Sequence, residues 1–356
     1  MLRVYTPIAH NIYKAHSFIE FLVYEVWCKA DKTPIEHKLK LNHVLNSLYK
    51  NTTLKKFKPE ITEIYAVCQK LTNKEKKDFE NTFKNNNRIE ELCNGIVKPI
   101  PLSFLNKNLT KKIVPFFKGL YIGFLSWKVV YENAGEKKSY YDKLNLENKF
   151  IECPCCGYGD LKTIYSKGRS AFDHYLPQKH YPLSSTNFNN LVPICTTCNS
   201  DEKGEVDVLK IGKPIYYPFA KKHPKIEVKV EIDKKALQKF ITPTGKLTNK
   251  ISKSEIKIDF NIKDDQIESW NRIFNIKARY FGKIADNRIS WLDDVRQFYR
   301  DPQININTYE SAFDKVIQID SNKHLGFLKS PYLKSLKLNS YLIKAMDEVS
   351  GNSIIN

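Results

Sequence analysis

Two stretches near the middle of this 356-residue chain carry the residue types that do chemistry. SAFDHYLP (170–177) sets Asp173 and His174 at the end of an apolar run, and NNLVPICTTCN (189–199) supplies Asn189, Asn190, a CxxC pair and Asn199. A second CxxC precedes them in ECPCCG (152–157). Each CxxC can turn two thiolates toward one point. Cys153, Cys156, Cys195 and Cys198 therefore make the tetrahedral four-sulfur set that Zn²⁺ favours in closed structural sites. Gly157 suits the tight turn of such a knuckle, and Cys155 is left as a spare. A lone CxxC reads as a redox dithiol; two of them bracketing a histidine-bearing loop read as a staple. Cys28, Cys68 and Cys93 stand singly in apolar helical surroundings, where a free cysteine serves as a small buried hydrophobe.

A zinc ion with four sulfur ligands has no open coordination position, so chemistry falls to what it holds together. Between and beside the two knuckles lie Asp173, His174, His180, Asn189, Asn190 and Asn199. Alternation along an extended strand puts Asp173 and His174 on opposite sides, free for separate roles. Leu191–Ile194 reads as a second short strand, and Cys195–Lys203 as the first turns of a helix carrying Asn199. Strand, loop, strand and helix bring Asp173 and Asn199 to one side, with the imidazole nearby. A carboxylate and an amide oxygen are hard ligands suited to Mg²⁺ or Mn²⁺. An imidazole of ordinary pKa, about 6.5, can take a proton from water. Together they describe a divalent ion gripping a phosphate beside a general base. His180 could imitate that base, but QKHYP has turn character. Arg169 and Lys203 are placed to contact phosphate, in sequence of exposed type.

The elements that must position these residues are legible from periodicity. Residues 1–145 read as a helical domain: Ile19, Val23, Val26, Trp27 and Ala30 repeat at helical spacing, as do Ile61, Ile64, Tyr65 and Cys68. IVPFFKGLYIGFLSWKVV (113–130) is broken by Pro115, Lys118 and Lys128, so it reads as core and not as a membrane span. From 216 to 356 the period first becomes two, in IEVKVEID (226–233) and EIKIDFNI (255–262), then helical again. There DDQIESWNRIFNIKARY puts Ile267, Trp270, Ile273, Phe274 and Tyr280 on one helical face after an Asp264 cap, and a second helix runs through Ile289, Leu292, Val295 and Phe298. KKHPK (221–225) reads as a solvated basic loop. Fifty-eight Lys and Arg against 39 Asp and Glu leave a formal charge of +19, which favours a polyanion such as nucleic acid. The N-terminus MLRVYTPIAHNIYK lacks the pattern of a secretory signal, so a cytoplasmic protein without disulfides is expected.

The run C-P-x-C-G, then FDHYLP, then NNLVPICTTCN and Lys203-Gly204 resembles the HNH endonuclease family over roughly residues 150–205. It is similar to a branch found among bacterial defence-associated HNH nucleases. The resemblance implies a ββα-metal core at 146–215, around the four-cysteine zinc site; with the helical segments that periodicity places on either side, an α+β, mainly helical protein is expected. The resemblance also implies hydrolysis of DNA phosphodiester bonds, with His174 as general base, Asp173 and Asn199 as ligands of a catalytic Mg²⁺ or Mn²⁺, and Asn190 holding the base's loop through backbone hydrogen bonds. A place in antiphage defence or restriction follows from the same branch. Two other readings stay open: a zinc-stapled nucleic-acid-binding module without catalysis, and an RNA-cleaving nuclease. Double-stranded DNA is the expected partner, whereas oligomeric state and a partner ATPase or sensor protein stay open.

Overall fold

Residues 2–210, 212–222, 224–233, 235, 252–304, 306, 308–340, 342, 343 and 346 are described by a computed structural model. The described chain is mainly helical, with two separate two-stranded sheets, neither of them closed. The helical first part comprises α1 (Lys14–Phe21), α2 (Ile35–Leu39), α3 (His43–Lys50), α4 (Phe57–Gln69), α5 (Asn73–Asn86), α6 (Ile89–Cys93), α7 (Lys107–Gly123), α8 (Lys128–Ala134) and α9 (Lys137–Asn148). Its apolar spacing becomes its core. Ile19, Val23, Val26 and Trp27 are fully enclosed, and so is Ile61 on α4. Trp27 meets Phe116 of α7 edge to face at 5.3 Å, and each such buried side chain stabilises by roughly 1.5–3 kcal/mol. At α5 a capping box fixes the start: Glu75 N–H donates to Thr72 Oγ1 while Thr72 N–H donates back to the Glu75 carboxylate. Cys68 and Cys93 are buried and Cys28 half-buried, and burial raises all three thiols.

In the middle of the chain β1 (Phe172–His174) pairs antiparallel with β2 (Leu191–Pro193), Asp173 opposite Val192 and His174 opposite Leu191. A short wide-turned helix follows, α10 (Thr197–Lys203). Next, β3 (Val228–Ile232) and β4 (Ile256–Phe260) form an antiparallel hairpin, which packs on the helices α12 (Ile276–Arg300) and α14 (Gly326–Lys337). Asp264 caps α11 (Asp265–Phe274) by accepting from Ile267 N–H at 2.8 Å. One boundary differs from the sequence expectation. The helical face through Tyr280 is broken at Asn275, whose φ of 50° ends α11; Asn tolerates this left-handed conformation better than most residues. Tyr280 therefore belongs to the same 25-residue helix as Ile289, Leu292, Val295 and Phe298. Helix α13 (Tyr309–Asp320) completes this part. Lys221, Lys222 and Lys225 of KKHPK are exposed, and His223 lies outside the described residues. Among the described residues no single helix is long and apolar enough to cross a membrane. Buried apolar side chains form one contiguous cluster from Leu2 to Met346.

The connection from β1 to β2 is polar and nevertheless buried: Ser184, Ser185, Thr186, Asn187 and Asn190 are all enclosed. An unpartnered polar group there would cost about 1–3 kcal/mol, and the helical part supplies the partners. Ser185 Oγ donates to the Phe117 carbonyl of α7 at 2.6 Å. Asn87 donates to the Leu183 carbonyl at 3.3 Å, and Asn187 donates to Asn87 Oδ1 at 3.1 Å. His16 Nδ1 of α1 lies 3.1 Å from Thr186 Oγ1, with its ring stacked on Phe83. Burial pushes the His16 imidazole down to about 4, against an ordinary value of about 6.5. Between those two pH values the unfolded chain binds the proton more readily than the folded one. Stability is therefore lost as pH falls from about 6.5 to about 4, by up to about 3 kcal/mol. Urea unfolding followed from pH 7 to pH 4 should show that loss together with a similar one from His174, which burial also pushes down to about 4, and His16→Gln should remove only its own share, about half of the histidine-linked slope; the same slope in both proteins would place the acid sensitivity elsewhere.

Candidate metal centre and adjoining pocket

The first CxxC lies in an irregular turn. Gly157, at φ 78°, donates its N–H to the Cys153 carbonyl at 2.7 Å, folding the chain back on itself. The second pair straddles the start of α10. All four sulfurs of Cys153, Cys156, Cys195 and Cys198 are buried and lie within 4.8 Å of one another. Sulfurs about 2.3 Å from a tetrahedral zinc stand roughly 3.8 Å apart, and Cys156 Sγ and Cys195 Sγ are separated by 3.9 Å. Two of the sulfurs receive donors from outside the cluster. Gly159 N–H donates to Cys156 Sγ and Arg279 Nη1 to Cys198 Sγ, each at 3.3 Å. Hydrogen bonding among the four thiols lowers Cys156 and Cys195, while burial raises Cys153 and the same hydrogen bonds raise Cys198, as in a set that shares its protons. These donors are the outer partners a metal-bound sulfur uses. The set can hold one ion of the Zn²⁺ type, and the spare Cys155 is packed away with its carbonyl accepting from Trp270 Nε1 at 3.0 Å. Tyr280 OH likewise donates to the Cys156 carbonyl at 3.0 Å, so α11 and α12 hold the knuckle from outside.

Beside this centre opens a cleft of about 570 Å³ whose wall includes Asp173, His174, Asn199, Lys203, Tyr121 and Lys118. Strand β1 delivers the first pair, α10 the second and α7 the third. His174 Nε2 lies 3.0 Å from the Ser185 carbonyl. A carbonyl only accepts, so that nitrogen carries the proton and Nδ1 keeps its lone pair. Tyr121 packs edge-on against the imidazole, ring centroids 4.2 Å apart. Burial pushes His174 down to about 4, with the Lys203 charge acting in the same direction, so the ring is neutral at pH 7 and not poised near 6.5. Burial also pushes the Asp173 carboxyl up, and the Lys203 ammonium opposes this. Oxygen Oδ1 of Asp173 accepts from Lys203 at 2.9 Å, whereas the buried Oδ2 has no hydrogen-bond partner.

Asp173, His174, Asn199 and Lys203 thus share one cleft, and Asn190 lies behind its wall. There Asn190 accepts from Leu176 N–H at 2.7 Å and donates to the Leu176 carbonyl at 3.0 Å, tying the two ends of the loop together. Asn189 is exposed, and its backbone is engaged on both sides: its N–H donates to Asn187 Oδ1 and its carbonyl accepts from Tyr217 OH. His180 is exposed, off the cleft, beside the Glu205 carbonyl. Two cations differ from expectation. Lys203 is not of exposed type: 1% accessible, its ammonium donates to Asp173 and to the His174 carbonyl, because the turn of α10 points it inward. Arg169 stands just outside the cleft, stacked 4.4 Å from the Phe172 ring. Sequence reading missed Tyr121, Ser185, Gly159 and Arg279. Tyr121 lies in an apolar helical run that reads as core and Arg279 carries no local motif, whereas Gly159, two residues past Gly157 in the knuckle, has a legible signal.

No known family's sequence profile and no solved structure matches the chain. Among curated proteins, a segment of 86 residues is 37% identical to "Protein ea31" of Escherichia phage lambda, covering 24% of this chain and 26% of that protein. The chain thus matches about a quarter of that relative's length.

The metal centre makes its own test. A Cβ on Gly159 would lie 2.5 Å from Cys195 Sγ and 2.9 Å from its Cβ. Purified protein should carry about one zinc per chain by elemental analysis, and Gly159→Ala and Cys195→Ser should each lose most of it together with the cooperative unfolding transition of the central segment. A folded, zinc-free preparation would refute the assignment.

Proposed function

We propose that the chain is a zinc-stapled nucleic-acid-binding protein whose β1–β2–α10 unit is a ββα-metal core of the HNH type, hydrolysing phosphodiester bonds of DNA. The observation that carries this reading is Asp173 Oδ2, a buried oxygen without a partner on the wall of a cleft shared with His174 and Asn199. An unsatisfied carboxylate oxygen in such a place fits a cation ligand. Asp173 Oδ2 and the Asn199 amide oxygen are the donors that would hold Mg²⁺ or Mn²⁺, which when bound neutralises charge on a phosphate. His174 contributes a neutral ring with its Nε2–H tied to Ser185, so Nδ1 is the atom that takes a proton from water. Asn190 keeps the His174 loop closed, and the net charge of +19 draws in a polyanion. A role in antiphage defence or restriction rests on the sequence resemblance.

A second reading, a zinc-stapled nucleic-acid-binding module without catalysis, is favoured by the Lys203–Asp173 ion pair, which already occupies one carboxylate oxygen with an ammonium. Supercoiled plasmid and a labelled RNA incubated with the protein and Mg²⁺ or Mn²⁺ separate the readings. Cleavage of the plasmid is expected, with His174→Ala slower by about 10²–10⁴ while nucleic-acid affinity stays near wild type. Asp173→Ala should lose both turnover and the metal-dependent part of affinity. Zinc content serves as the folding control for both variants. Wild-type protein that binds but never cuts would establish the second reading, and cleavage of RNA alone would change the substrate.

A further inference from the structure

We propose that residues 162–170, the loop entering β1, form a docking arm for single-stranded or locally unstacked nucleic acid beside the cleft. Its cations hold backbone phosphates and Tyr165 stacks on an open base. This rests on the nucleic-acid reading above and goes beyond it in naming the surface and the form of strand.

The loop is closed at its neck and projects at its tip. Lys162 N–H donates to Ser170 Oγ at 3.0 Å, and Tyr141 OH of α9 holds both ends, donating to the Lys162 carbonyl at 2.6 Å and lying 3.1 Å from Ser170 Oγ. A tight turn follows, Ser166 N–H to the Thr163 carbonyl at 3.0 Å. Between these ties Tyr165 is 92% exposed and, among the described residues, meets no other ring. A tyrosine held out in water on an anchored loop offers a flat face, the feature on which bases stack without regard to sequence. Such a face engages only a base that is not already sandwiched in a duplex.

The charges around it are unusually uncompensated. Among the described residues, no carboxylate forms an ion pair with Lys137, Lys162, Lys167 or Arg169, although surface lysines close by are paired, such as Lys138 with Asp142 and Lys143 with Glu147. Lys137 is near enough to Arg169 for the two like charges to repel, and a Cβ on Gly168 would lie 3.6 Å from Lys162 Nζ. Cations that make no ion pair of their own draw an external anion. Arg169 joins the arm to the cleft. It stacks on Phe172, whose carbonyl accepts from Tyr121 OH at 3.0 Å, and Phe172 and Tyr121 both line the cleft. A strand lying over the arm therefore runs on toward Asp173 and His174.

Fluorescence anisotropy with the full chain tests this, using a labelled 20-nucleotide single strand and the matching duplex in buffer without added divalent ions or chelator. Tyr165→Ala should weaken single-strand binding about tenfold and duplex binding less than twofold. Lys162→Gln with Lys167→Gln should weaken both and reduce the salt slope on the single strand by about 1.4. Lys229→Gln with Lys257→Gln removes the same charge from β3 and β4 and should change neither. Equal losses in that control, or wild-type binding in both loop variants, would overturn the arm while leaving the nucleic-acid reading intact. An equal loss on both strands for Tyr165→Ala would overturn the stacking role. Wild-type protein that binds neither strand would remove the reading on which the arm rests.

Discussion

Convergence of four thiols on one point is the constraint on which the middle of this protein depends. Strands β1 and β2 have three residues each, too few to persist as an isolated pair. Cys195 follows β2 almost at once and Cys198 sits in α10, so fixing the sulfurs fixes where β2 ends and at what angle α10 departs. Asn199 and Lys203 inherit their positions from that angle. The constraint is shared with distant sequence: Trp270 and Tyr280 hold the carbonyls of the first knuckle, and Arg279 places its charge on Cys198. The two knuckles thus borrow their rigidity from helices 81 to 124 residues further along.

A second line of support runs from the N-terminal helices to the imidazole. Phe117 of α7 accepts from Ser185, and the Ser185 carbonyl in turn fixes the tautomer of His174. Tyr121, one turn further along α7, supplies the aromatic edge against the same ring. The loop that carries Ser185 is polar and enclosed, and it stays so only because Asn87, His16 and α7 satisfy it. Enclosure has an electrostatic consequence. In a poorly solvated wall a neutral imidazole is favoured over a charged one, and a carboxylate must find a cation. Lys203 is that cation in the present structure, and since it contacts only Oδ1, Asp173 keeps a second oxygen without a hydrogen-bond partner.

Much of this was determined by the sequence alone. Two CxxC pairs name the sulfurs because only cysteine at that spacing turns two thiolates to one point, and the periods of 3.6 and two locate the helices and the β3–β4 hairpin because burial on one face requires them. The order strand, loop, strand, helix followed from the same local patterns, and with it the meeting of Asp173, His174 and Asn199 in one cleft. What only the tertiary structure decided is everything set by contacts between distant residues. Lys203 looks like any surface lysine until the turn of α10 directs it at Asp173. Tyr121 is one more apolar position of a core helix until β1 lies beside it. The helix break at Asn275 was masked by an unbroken apolar face, since periodicity reports which side is buried and not whether the axis continues. The protonation of His174 depends on how completely it is enclosed, and enclosure is a property of the assembled chain, which no spacing of residues encodes.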